Sequence, residues 1–130
     1  MANLEKLCAP GIFDPPGYTQ CLKVTGAQSI IFLAGQVAYD KDGKPAHPGD
    51  FKGQARAVFS AVKAQVEAAG GTLANVVKIT SYLTDVSQRP AFREIRDEFL
   101  GKKGPASTMI GVAALAHPDY MIEIEAIAII

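Results

Sequence analysis

The sequence predicts an α+β domain with two helices on one face of a mixed β-sheet, and three patterns lead to that expectation. Apolar runs with a period of two recur along the chain, a long helical stripe interrupts them, and a shorter helical stripe follows. The chain is 130 residues long and 48% hydrophobic, which suits a single domain, 1–130, with a sizeable core.

From Gln20, "QCLKV" and "SIIFLAGQV" read as two strands joined by the turn "TGAQ". "DKDGKP" carries Asp-Gly and Pro and forms a further turn; the loop "AHPGD" then leads to Asp50, whose short carboxylate suits a helix N-cap. Phe51, Ala55, Val58, Phe59, Val62, Val66 and Ala69 share one face of a helix that Gly70-Gly71 ends. "NVVKITSYLTD" is β-branched and roughly alternating, hence a strand. Ser87 is expected to cap a second helix, with Pro90 in its first turn and an apolar stripe of Phe92, Ile95 and Phe99, stopped by "GKKGP". "STMIGVAAL" and "YMIEIEAIAII" flank the short "AHPD" and are expected to pair as an antiparallel hairpin. The element order is β-β-α-β-α-β-β.

In the last strand Glu123 and Glu125 share a face with Met121, Ile127 and Ile129, opposite Ile122, Ile124, Ala126 and Ala128. Both faces are therefore largely apolar, although the helices can cover only one. The second face is expected to be buried by another subunit, making the protein a homo-oligomer. A carboxylate on such a face is either a pocket group that orients or deprotonates a water, or half of a structural ion pair; for Glu123 the residues alone leave both readings open. The structural reading is the stronger one for Glu125.

Other candidates are weaker as bare sequence features. Ser107 and Thr108 open a strand, where hydroxyls can bind a substrate oxygen. Gly35 at a strand end permits close approach of a ligand or backbone, and Tyr18 is a lone aromatic in a loop. Arg89, Arg93 and Arg96, in or beside the short helix, read as a solvated face.

Thirteen basic and thirteen acidic residues cancel, so the chain lacks the electrostatic footprint of a nucleic-acid or anionic-membrane binder. No stretch approaches a membrane span, and "MANLEKLCAPG" has no basic segment followed by an apolar run, so a cytoplasmic location is expected. Cys8 and Cys21 match no zinc or thioredoxin spacing and read as reduced thiols. With only His47 and His117 besides, no metal-ligand constellation forms, and there is no phosphate-binding glycine loop. No metal or cofactor is expected.

"PPGYTQ", "IIFLAGQV", the long helix after Asp50, "VVKITSYLTDV", "GPASTMIGVAAL" and the terminal "IEIEAIA" together resemble, in order and over nearly the whole chain, the reactive intermediate/imine deaminase family, also called Rid or YjgF. The resemblance implies a chorismate-mutase-like fold and a homotrimer with three pockets between subunits. Enzymes of this family hydrolyse imines and enamines, such as those released by pyridoxal-phosphate enzymes, to a ketone or ketoacid and ammonia. In that pattern the first Glu of the terminal motif positions the water, so Glu123 inherits the role. Tyr18, Gly35 and Gln36 fall where the family's other pocket elements lie.

The chain departs from the pattern at one strand start. The family's deaminases read Pro-Ala-Arg-Ser, the Arg holding the substrate carboxylate, where this chain reads Pro105-Ala106-Ser107-Thr108. Two charge-assisted hydrogen bonds give way to one neutral donor, a loss of about ten- to a hundredfold in carboxylate affinity. Phe92 also stands in place of the family's Asn. The expectation is a less anionophilic pocket and a cofactor-free imine or enamine hydrolase for substrates lacking the α-carboxylate. A trimer that binds a small metabolite without turnover is the alternative. The ribonuclease label some relatives carry is disfavoured by the neutral charge.

Overall fold

A computed structural model describes residues 2–130. Strands β1 (Asn3–Leu7), β2 (Cys21–Thr25) and β3 (Ile30–Gln36) precede helix α1 (Phe51–Ala68); β4 (Val76–Leu83), α2 (Arg89–Leu100), β5 (Ala106–Gly111) and β6 (Ile122–Ile129) follow. Short 3-10 turns at Leu73–Asn75 and Val86–Gln88 lead into β4 and α2. β3, β6, β4 and β5 form one four-stranded mixed sheet in that order, with β5 parallel to β4 and the other pairings antiparallel. β1 and β2 form a separate antiparallel pair.

The α+β architecture and the alternation along β6 agree with the sequence reading. Both helices pack on one side of the sheet. Leu33, Ile79, Leu83, Ile122, Ile124, Ala126 and Ala128 meet Ala55, Val58, Phe59, Val62 and Val66 of α1 and Phe92 and Ile95 of α2 in a continuous core. Burying each of the larger side chains contributes about 1.5–3 kcal/mol, which is why the apolar stripes decide the architecture. Asp50 caps α1 by accepting a hydrogen bond from the Gly53 N–H at 3.0 Å. The amide of the buried Gln54 ties that first turn to the approach to β6, donating to the Asp119 carbonyl at 2.6 Å and accepting from the Met121 N–H at 2.8 Å.

Two expectations are corrected, and one strand is added. "STMIGVAAL" and "YMIEIEAIAII" do not pair with each other: α2 returns the chain so that β5 lies parallel to β4, and residues 112–121 then carry it to the far edge of β4. The two strands joined by "TGAQ" are both present but lie in different sheets, because Gln28 and Ser29 donate their N–H groups to the Ile130 carbonyl at 2.7 and 2.9 Å and β3 takes β6 as its partner. β2 instead pairs with β1, a five-residue strand too polar and exposed for its pattern to stand out. Ser87 is not the α2 N-cap; Asp85 caps the 3-10 turn, accepting from the Ser87 N–H at 3.0 Å, and the helix starts two residues later with Pro90 in its first turn.

The sheet face away from the helices is open among the described residues. Phe32 and Ile30 stand 75% and 57% exposed there, beside Ile127, Thr80, Tyr82 and the two glutamates of β6. So large an apolar surface is a mark of an interaction face.

Phe59 joins the two helices: its ring stacks on Phe99 with centroids 5.4 Å apart and lies 6.2 Å from Phe92. Phe59→Ala is expected to destabilise the fold by about 3–5 kcal/mol, read as a lower urea midpoint in equilibrium unfolding.

Candidate functional site

The two carboxylates of β6 have different neighbours. Glu125 stands opposite Thr80, and its Oε1 accepts a hydrogen bond from the Tyr82 hydroxyl at 2.7 Å. That bond pushes the Tyr82 phenol above its ordinary range, with burial and the charges of Glu125 and Glu123 adding to it. Glu125 is thus partnered. Glu123, opposite Tyr82 and half-buried, has neither an ion pair nor a side-chain hydrogen bond among the described residues.

What holds Glu123 in place is shape. It lies across Gly35 of β3, so closely that a Cβ on that glycine would sit 1.9 Å from Glu123 Oε1 and 2.8 Å from its carboxyl carbon. A glycine is required here by the close approach of a side chain, not by an unusual backbone angle. Just beyond, the pairing of β3 with β6 shifts register between Leu33 and Gln36. Gln36 turns in there, buried, and its Nε2 donates to the Ala34 carbonyl at 2.9 Å. Gly35 and Glu123 are therefore brought together; Gln36 faces a different recess, between β3 and Gln65, Ala68 and Ala69 of α1 and its end.

Tyr18, Ser107 and Thr108 form a second group. The loop Gly17–Thr19 is stitched to the turn before β5. Gly17 donates its N–H to the Lys102 carbonyl at 2.6 Å, Gly104 returns one to Gly17 at 3.1 Å, and Thr19 bonds Pro105 and Gly104 through its N–H and hydroxyl. This places Tyr18 beside Ser107 in a cavity of about 380 Å³, whose other walls are Phe92, Met109, Arg89, Arg93 and Arg96. Thr108 Oγ1 at its edge accepts from Lys78 Nζ at 3.0 Å.

Ser107 stands beside Ile79 and Glu123 beside Tyr82, three positions apart on β4, so within one chain they lie on opposite faces of the sheet. Glu123 and the Tyr18–Ser107 cavity are separate in a single protomer.

The expectation of a cation-poor pocket is overturned. Position 107 lacks the guanidinium, but α2 brings three others to the same cavity. Arg96 is also not on a solvated face: it is 6% exposed, its Nε and Nη2 each 3.1 Å from Asp97 Oδ1, with its Cζ 6.0 Å from the Tyr18 ring centre and 5.9 Å from that of Phe92. Gly17 makes room for it, since a Cβ there would lie 1.9 Å from Arg96 Nη2. The signal was present in the spacing: positions 89, 93 and 96 fall on one helix face, while Glu94 and Glu98 reach Lys52 and Arg56 of α1 on another.

Comparison with known proteins places these features in context. Residues 15–130 match the family model described as endoribonuclease L-PSP. A RutC family protein of Pyrococcus horikoshii is 39% identical over 85% of each chain. Among solved structures, a Rid-family protein of unknown function, YyfB from Yersinia pestis, superposes with a TM-score of 0.86 at 27% identity, covering 98% of this chain and 99% of that one. TdcF from Escherichia coli, solved with bound serine, gives a TM-score of 0.72 at 32% identity over 94% of this chain and 93% of its own.

The fit of Glu123 over Gly35 is directly testable. In Gly35→Ala the new methyl meets the mobile end of a side chain rather than backbone, so the fold should survive while the carboxylate is displaced. The expected result is an unfolding free energy within about 1 kcal/mol of wild type and a crystal structure in which Glu123 has changed rotamer; an unmoved Glu123 refutes the steric account.

Proposed function

The chain belongs to the Rid/YjgF family, the one described as endoribonuclease L-PSP, and from that premise we propose that it hydrolyses small reactive imines or enamines to a carbonyl compound and ammonia, without a cofactor. The observation that carries this reading is Glu123: a half-buried carboxylate with no partner among the described residues, seated on a glycine on an open sheet face. A structural ion pair would use up the charge. An unpaired carboxylate beside apolar surface is instead suited to hold a water and accept its proton.

In the proposed step, the water oxygen bonds to the imine carbon as Glu123 takes a water proton and the C=N π pair moves to nitrogen. The proton passes from Glu123 to that nitrogen, giving a carbinolamine; Glu123 then takes the hydroxyl proton and delivers it to the amine nitrogen as the C–N bond breaks, and carbonyl and ammonia separate. Atoms balance with water as the only co-reactant. The open face around Phe32, Ile30 and Ile127 supports the further proposal of a homotrimer, in which a second copy covers Glu123 and turns the exposed face into a pocket between subunits. Tyr18, Ser107 and Thr108 then serve as binding groups on the substrate.

A second reading is a trimer that binds a small metabolite without turning it over. The bound serine of TdcF favours it, because it shows a relative of this fold holding a small amino acid. Glu123→Gln keeps the shape and removes the base, so the two readings separate on one variant. With imines generated in situ by an amino-acid oxidase, the first predicts a rate loss of about 10²–10⁴-fold. A wild type without turnover supports the second; a variant within about twofold of an active wild type removes Glu123 from the chemistry.

Sedimentation equilibrium at micromolar concentration should return about three times the 13.8 kDa chain mass. A stable monomer would leave Glu123 on an open surface and overturn the shared pocket.

A further inference from the structure

Helix α2 sorts its charges. Glu94 and Glu98 turn toward α1, where Lys52 and Arg56 hold them at 3.0 and 2.9 Å, and the cavity-facing positions 89, 93 and 96 are all arginine. Among the described residues no carboxylate lines that cavity. Only Arg96 has an acidic partner, Asp97, and among the described residues neither Arg89 nor Arg93 pairs with a carboxylate. Three guanidiniums against one carboxylate leave a surplus of two positive charges around a space of about 380 Å³.

The position of each arginine differs. Arg96 is buried and held between Gly17, the Tyr18 and Phe92 rings and Asp97, so its orientation is set before any ligand arrives. Arg89 and Arg93 are exposed at the rim, within reach of a ligand from outside. Tyr18 and Ser107 add neutral polar groups to the wall, while Phe92 and Met109 supply apolar wall for a short carbon skeleton. A buried guanidinium at the base, exposed ones at the rim and no competing carboxylate among the described residues make a receptor for an anion.

We infer that this cavity binds a small dianionic molecule, either a dicarboxylate or a phosphate ester, with Arg93 and Arg96 taking its acidic groups. The charge surplus selects two negative charges over one, and the volume limits the ligand to a small skeleton. The inference rests on the proposed reaction only in taking this dianion to be the substrate; the binding site stands on the cavity alone. In that reading the anchoring cations come from a helix and not from position 107, and the reactive compound carries a second acidic group.

Calorimetric titration of the intact protein at pH 8 and constant ionic strength, with succinate, inorganic phosphate and acetate, tests it. At least one of the two dianions should bind at least about tenfold more tightly than acetate, the effect of one additional charged hydrogen bond. Arg93→Ala should weaken that binding by at least about tenfold, Arg93→Lys should lose less, and Lys63→Ala, on α1 and paired there with Glu67, should leave it unchanged. Backbone NMR shifts caused by the probe should centre on Tyr18, Arg96 and Ser107. Preference for phosphate identifies a phosphate ester, and preference for succinate a dicarboxylate. Equal affinity for acetate, or a folded Arg93→Ala that binds as wild type does, overturns the site. Dianion binding by a wild type that hydrolyses no imine removes the proposed reaction and keeps the cavity. Hydrolysis that depends on Glu123 without dianion binding does the reverse.

Discussion

The pairing of β6 between β3 and β4 is the constraint on which the rest of the molecule depends. Its inner side chains Ile122, Ile124, Ala126 and Ala128 are buried under the helices, and both its edges are hydrogen-bonded to neighbours. A slip of one residue would carry all four onto the open face and drive Glu123 and Glu125 into the core, where an unpaired carboxylate is costly by several kcal/mol or more. The hydrophobic packing that stabilises the domain is thus what points Glu123 outward and lays it over Gly35. The position of the candidate base is a by-product of the core.

The same economy governs α2, which has an apolar stripe, an acidic side and a basic side. Phe92 and Ile95 dock it on the sheet, and the acidic side meets Lys52 and Arg56 of α1. Exposed pairs of this kind contribute little to stability, about 0–1 kcal/mol. Their larger effect is to occupy the acids: the Arg56 guanidinium holds the Glu98 carboxyl below its usual range by a direct hydrogen bond, and of the acids of α2 only Asp97 remains for the arginines on the cavity side. Helix packing and cavity charge are two results of one sequence pattern.

Periodicity made the core elements legible. The stripe from Phe51 to Val66, the alternation in β4 and β6 and the Asp50 cap follow from local rules, and burial bears them out. Strand partners were not legible, because "STMIGVAAL" and "YMIEIEAIAII" carry the same apolar signal whether they pair with each other or with β4; only the return path of α2 decides. β1 was missed because three of its five residues are polar and the strand is exposed. At the site, the proximity of Gly35 and Glu123 was suggested by the family pattern, but the steric reason for the glycine requires coordinates. Reading the arginines of α2 as a solvated face failed at Arg96, since a positive charge between two aromatic rings looks, in sequence, like any other helix-surface cation.

The strand order also sets how the chain reaches this structure. β3 and β4 do not pair with each other; each waits for β6, and Ile30 finds its partner only at Ile129. Only the β4–α2–β5 unit and the β1–β2 pair can close without it. Nearly every stabilising sheet contact therefore spans a long loop, and the entropy of closing such loops falls before the reward. Until β6 inserts, β3 and β4 present unpaired edges and bare apolar faces to solvent, the surfaces through which partly folded chains aggregate. Slow folding, with those surfaces exposed while it proceeds, follows from placing the latest strand at the centre of the sheet.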